Sequence, residues 1–154
     1  MAIQFTDTSL FDAVRRSAKQ YDRAEAKALR TGANVVKKHI RNAVKATGLK
    51  VNSVGEGYRD RLIDAIRSSR PNDGEIKVHI LGTASKSSQT YKLRFFEYAT
   101  KRYNKKGLSK PRYVGTLSRF NGFFQQGWNS ARSEAMSKLS DALNKYIEDA
   151  WNNR

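Results

Sequence analysis

Apolar and polar positions divide the chain into two long helical stretches around a middle of mixed pattern. From Leu10 to Val44 there is no proline and much Ala, Lys, Arg and Gln, all compatible with helix. Ala24, Ala28, Val35, Val36, Ile40 and Val44 approximate one apolar stripe, and Leu10, Phe11, Val14 and Ala18 continue it upstream. Gln20, Tyr21 and Asp22 weaken the stripe, and Gly32 costs about 1 kcal/mol relative to alanine in a helix interior. The pattern predicts one long helix, or two sharing an axis, whose small residues suit packing against a sheet. A second helix is predicted from Gly122 onward. There Phe124, Trp128, Ala131, Ala135, Met136, Leu139, Leu143, Tyr146, Ile147 and Trp151 step by three and four residues and form a wide apolar face. Glu134 with Lys138 and Asp141 with Lys145 are favourable i,i+4 pairs on its other side.

Between these helices the periodicity changes. Ala46 to Gly57 is glycine-bearing and reads as loop, and Tyr58 to Ser69 places Tyr58, Leu62, Ala65 and Ile66 at helical spacing, predicting a short helix. Arg70 to Gly74 reads as a turn. Ile76, Val78 and Ile80 then alternate with Lys77 and His79, and Tyr91, Leu93 and Phe95 repeat the alternation. This predicts a hairpin from Glu75 to Tyr103 whose arms are joined by the polar loop Gly82 to Thr90. The expected architecture is α+β: a small antiparallel sheet packed against a long N-terminal helix and a long C-terminal helix. At 154 residues the chain suits a single domain over 1–154, with residues 1–9 as a lead and 82–90 and 101–121 as flexible contact loops.

Charge is what composition adds. Lys plus Arg number 30 against 14 Asp plus Glu, a formal net of +16, which favours attraction to a polyanion or an acidic protein surface. The densest segment holds Lys101, Arg102, Lys105, Lys106, Lys110 and Arg112 without an acid, interleaved with Tyr103 and Pro111. Phosphate or an acidic partner is the chemistry such a loop suits. Cysteine is absent, excluding a disulfide framework or a thiolate metal site, and no apolar run suits a signal peptide or a membrane span.

Catalytic chemistry finds little support. His39 and His79 stand at no ligand or His-acid spacing, no phosphate-binding glycine loop occurs, and no serine sits in a nucleophile-elbow pattern. A non-enzymatic protein without cofactor or metal is expected. Glu97, between Phe95, Phe96 and Tyr98, is the one acid in an aromatic setting. Half-burial would raise its pKa, and pairing with a nearby Arg or Lys is the plainer expectation.

The order of elements carries a resemblance. A basic N-terminal helix, GYRDRLIDAIR, a strand, a polar loop, YKLRFFEYATKRY, a basic linker and GFFQQGWNSA opening the last helix together resemble the tail-completion or head-tail joining (neck) proteins of long-tailed bacteriophages, the gene-product-ten-like family. That family carries an aromatic-aromatic-Glu-x-Gly-Thr signature. Phe95, Phe96, Glu97 and Thr100 match it, Phe123 and Phe124 sit at the helix-opening aromatic, Ala99 replaces the glycine, and Pro111 lies well before Phe123. The resemblance implies a virion structural protein made in the host cytoplasm and placed at the neck. It would form a closed homo-oligomeric ring, about six- or twelve-fold, contacting a connector or portal-side protein and a tail tube or terminator protein, with DNA passing nearby and no membrane. Lys101, Arg102, Tyr103, Lys105, Lys106, Lys110 and Arg112 are the candidate contacts. The alternative is a basic nucleic-acid-binding protein that grips DNA phosphates through the 101–113 loop and the N-terminal helix.

Overall fold

The computed structural model describes residues 8–81, 87–98, 101–104, 112–116 and 120–152, without the side chains of 8–18, 101–104, 112–116, 150 and 151. Its elements are α1 (Thr8–Ala46), a 3-10 turn (Leu62–Ala65), β1 (Ile66–Ser68), β2 (Val78–Ile80), α2 (Lys92–Glu97), β3 (Lys101–Asn104), β4 (Arg112–Thr116) and α3 (Phe123–Asn152). The fold is α+β: two long helices packed against a small two-stranded antiparallel sheet.

The seam between α1 and α3 sets the frame. Both helices carry a small residue every fourth position, Ala24, Ala28 and Gly32 on α1, and Gly127, Ala131 and Ala135 on α3, all buried. Residues four apart share a helix face, so these rows let the backbones approach closely. A Cβ on Gly127 would lie 2.5 Å from Ile40 Cα, and one on Gly32 would lie 3.3 Å from the Ala135 carbonyl. The helices run antiparallel, as Ile40 beside Gly127 and Lys27 beside Tyr146 require. The expectation of one long helix holds for α1. Its small residues, however, face mainly the other helix rather than a sheet, which explains the glycine in its interior. Glu134 also departs from expectation: its carboxylate meets His39 Nε2 across the seam at 2.8 Å, a contact no local spacing encodes.

The middle of the chain differs more. The hairpin predicted over 75–103 is not formed. Instead β2 pairs antiparallel with the preceding β1, Ile66 opposite Ile80 and Ser68 opposite Val78. The reason lies in the Asp73-Gly74 dipeptide, at φ 46 and 74, which closes a two-residue turn with reciprocal Asn72 and Glu75 backbone hydrogen bonds of 2.9 Å. Asp-Gly favours such turns because both central residues need positive φ. The strand therefore folds back rather than forward.

Its supposed return arm is the helix α2. Leu93 is fully buried and Phe96 half-buried, three residues apart, so the same run satisfies a helical period as well as an alternating one. Packing settles the choice: as a helix the run puts Leu93 in the core and Phe96 against it.

The helix predicted over 58–69 is also replaced, by the 3-10 turn and β1. Tertiary hydrogen bonds hold its first residues: Arg59 N–H donates to Ser87 O at 2.9 Å and Ile63 N–H to Val51 O at 3.2 Å. Of the predicted loop 82–90, residues 82–86 lie outside the described residues. Ser88, Gln89 and Thr90 do not project, being 5%, 6% and 0% exposed. The Asp60 carboxylate accepts Ser88 Oγ and, at 2.8 Å, Gln89 N–H, while Gln89 Nε2 donates to Asp60 O and Ser53 O. Burial is tolerable because these polar atoms find partners. The predicted contact loop 101–121 is in part a ribbon, since 101–104 and 112–116 pair as β3 and β4.

Candidate functional site

The aromatic-acid motif and the start of α3 come together at one end of the seam. Gly122, at φ 78, turns the chain into α3, aiming its first backbone amides at the end of α2. Glu97 accepts the Phe124 N–H at 3.2 Å, and the neighbouring Phe123 and Gly122 amides also favour its charged form. Four N–H groups at a helix start have no intrahelical acceptor, and a carboxylate there satisfies them and complements the helix dipole. Burial nevertheless dominates and raises the Glu97 pKa above its usual value, while the amide hydrogen bonds oppose the shift. The expectation of a raised pKa agrees. Its partners among the described residues are backbone amides, however, in place of the expected Arg or Lys.

Phe96 stacks edge-to-face on Phe120, with centroids 5.5 Å apart, and packs against the core that contains Phe123, itself 1% exposed. Phe124 packs on the core from the helix side. Phe95 instead turns outward against Tyr91, centroids 5.9 Å apart, and both Phe95 and the neighbouring Tyr98 are exposed. The structure thus brings Phe96, Glu97, Phe123 and Phe124 together and leaves Phe95 on the surface. Thr100 lies outside the described residues.

The basic candidates fall on the second ribbon. Lys101, Arg102 and Tyr103 belong to β3 and Arg112 to β4, with Tyr103 opposite Tyr113, Asn104 opposite Arg112, and an irregularity between Arg102 and Tyr103. Lys101 and Arg102 lie opposite Thr116 and Gly115, so the pairing puts the cations of β3 and β4 on one ribbon without setting any two of them directly opposite. Lys105, Lys106 and Lys110 lie outside the described residues.

An apolar groove escaped the sequence reading. It has a volume of about 440 Å³ and lies between α1, α3 and the arm leading into β2, with Ala33, Val36, Ile76, Trp128, Met136 and Leu139 among its walls. The face predicted on α3 is wider than α1 covers, leaving Trp128, Met136 and Ile147 exposed. The width of that stripe was its signal; its boundary depends on where α1 and β2 stop.

Among the described residues no group of three or more His, Cys, Asp or Glu is placed to hold a metal ion, and no helix is long and apolar enough to cross a membrane. The arrangement offers surface and anchoring: a helix end clamped by Glu97, exposed aromatics beside it, and a cationic ribbon. Comparison with protein-family models, with curated proteins and with solved structures found no match for this chain.

Proposed function

We propose that the chain is a virion structural protein of a tailed phage, a subunit of a neck ring that completes the tail end or connector and joins capsid to tail. The observation that carries the reading is the closure of the signature onto the last helix: Phe96 on Phe120 and Glu97 on the Phe124 amide. Two segments that resemble one family's motifs, more than twenty residues apart in sequence, form a single structural joint.

The surroundings of that joint support a part gripped by neighbours. Phe95 and Tyr98 leave apolar area exposed on and just after α2, and Trp128 and Met136 leave it along the groove beside α3; exposed apolar surface of this kind marks protein contacts. A neck ring would need such surfaces to meet head-to-tail with a rotation that closes. The basic excess suits docking onto acidic connector-side or tail-side surfaces. In this reading the protein is made in the host cytoplasm, works in the virion and catalyses nothing. The test is the triple charge reversal Lys105→Glu, Lys106→Glu, Lys110→Glu. It leaves the subunit folded, by circular dichroism, and blocks joining of heads to tails; joined particles at undiminished yield reject the proposal.

A further inference from the structure

The outer side of α1 carries a pattern that the neck reading leaves unused. At about 100° per residue, Lys19, Arg23, Lys27, Arg30, Lys38 and Lys45 fall within about 100° of the helix circumference, and all are exposed. Half-buried Lys37 and Arg41 lie in the same sector. Between Lys19 and Lys45 its other members are Gln20 and Asn34, while the acids Asp22 and Glu25 sit outside it. The stripe is about 40 Å long at ~1.5 Å per residue, with a cation on nearly every turn.

The ion pairs among the described residues are His39–Glu134, Arg61–Asp64 and Lys77–Glu75, none with a stripe residue; Glu134, bound to His39, also feels the charge of Lys38. Lys27 leans over the Tyr146 ring at 4.9 Å and Arg41 donates to Ile66 O at 3.4 Å; neither contact removes charge. The crowding registers at Lys37, whose pKa is lowered by burial first and by Arg41 second.

We infer that this face of α1 is a sequence-independent docking surface for the phosphate backbone of duplex nucleic acid. An acidic protein fits less well. The sector holds no apolar or aromatic residue, whereas protein interfaces draw their energy from such anchors and are depleted in Lys. An anionic membrane fits less well still, because interfacial helices bury an apolar face in the lipid, and that of α1 is already buried, with Ala28, Ile40 and Val44 at 1%, 0% and 0% exposure. A duplex offers one charge per ~1.7 Å of axis, a linear target that Lys and Arg on long stems follow without reading bases. The inference does not depend on the neck reading, and it places the contact on the helix and not on the 101–113 ribbon.

The test is fluorescence anisotropy with a labelled duplex of about 30 base pairs, in two unrelated sequences. With about six phosphate contacts, log affinity falls with a slope near −5 against log salt, close to 10³-fold between about 50 and 200 mM. Both sequences bind alike. Lys19→Glu, Arg30→Glu and Lys38→Glu together, all at exposed positions, flatten that slope by about 3 and weaken binding at least 100-fold, with the helical circular dichroism signal unchanged. Reversing Lys105, Lys106 and Lys110 leaves the slope within about one unit of the parent. Loss of binding on reversing those three with retention on reversing the helix set overturns the inference. So does failure to bind either duplex, or equal competition by polyglutamate or anionic vesicles at matched charge.

Discussion

Gly127→Ala separates local preference from the α1–α3 seam. In an isolated helix the change stabilises by about 1 kcal/mol, so propensity alone predicts a higher melting temperature. The structure predicts the reverse. The added methyl would stand 2.5 Å from Ile40 Cα and 2.8 Å from both Ile40 N and Cγ1, against an optimum carbon–carbon separation of about 3.5–4.0 Å. Two of those atoms are backbone, so no rotamer change relieves them, and the helices must separate by about 1 Å, loosening Ala131 and Ala135 below. Overpacking costs about 1–3 kcal/mol in well-packed cores, and a backbone clash belongs at the upper end. The net destabilisation is about 1–2 kcal/mol, or roughly 3–8 °C in Tm for a chain of this size. Thermal unfolding followed by helical circular dichroism reads it. Adding Ile40→Ala removes the Cγ1 contact but not the other two, so the double variant does not recover. A Tm for Gly127→Ala at or above the parent's refutes the reasoning about the seam.

Other outcomes follow from the same contacts. Asp60→Ala strands the Gln89 backbone N–H and leaves the buried Ser88 hydroxyl only its Thr90 partner, lowering stability by about 1–3 kcal/mol in urea unfolding, while Asp60→Asn keeps an acceptor and loses less. Glu97 gives a pH signature. Its folded pKa is raised above the usual 4.5, so its contribution is full below pH 4.5 and is lost as pH rises through the folded value. Glu97→Gln therefore gains stability relative to the parent as pH rises from about 4.5 toward neutrality, and a difference in Tm that is flat or of opposite slope contradicts the burial argument. Asp64 runs the other way. The Arg61 side-chain hydrogen bond, the first of several causes, lowers its pKa below 3.8, so removing that bond with Arg61→Ala diminishes a contribution present above pH 3.8 and lost on further acidification. Met136→Glu, at a position 61% exposed, leaves the fold intact and weakens assembly if the groove is a neighbour's seat; assembly at parental yield removes the groove from the contact surface.

The long elements were legible and their partners were not. α1 and α3 declare themselves because a proline-free apolar stripe repeats over many turns. That they face each other is encoded in Ala24, Ala28 and Gly32 against Gly127, Ala131 and Ala135, a matching period of four that is decisive only when both rows are read together. The short elements failed for a different reason. Residues 92–97 satisfy both the alternating and the helical period, and at this length nothing local arbitrates. Tyr58 to Ser69 has helical spacing, but its first residues hydrogen-bond to Val51 and Ser87, distant in sequence. Asp73-Gly74 closes the β1–β2 hairpin, so β2 pairs with the strand before it and not with residues after it. The candidate site was half legible. The signature residues Phe96, Glu97, Phe123 and Phe124 converge, whereas the outward turn of Phe95 and the amide partner of Glu97 depend on where α2 ends and α3 begins, and the groove on where α1 and the arm into β2 leave α3 uncovered.

Electron microscopy of particles labelled with an antibody against this chain tests the account at its centre. A subunit that joins capsid to tail predicts label confined to the head-tail junction, and unjoined heads and tails when the chain is withheld. Label spread over the capsid or along the tail, or its absence from joined particles, contradicts it.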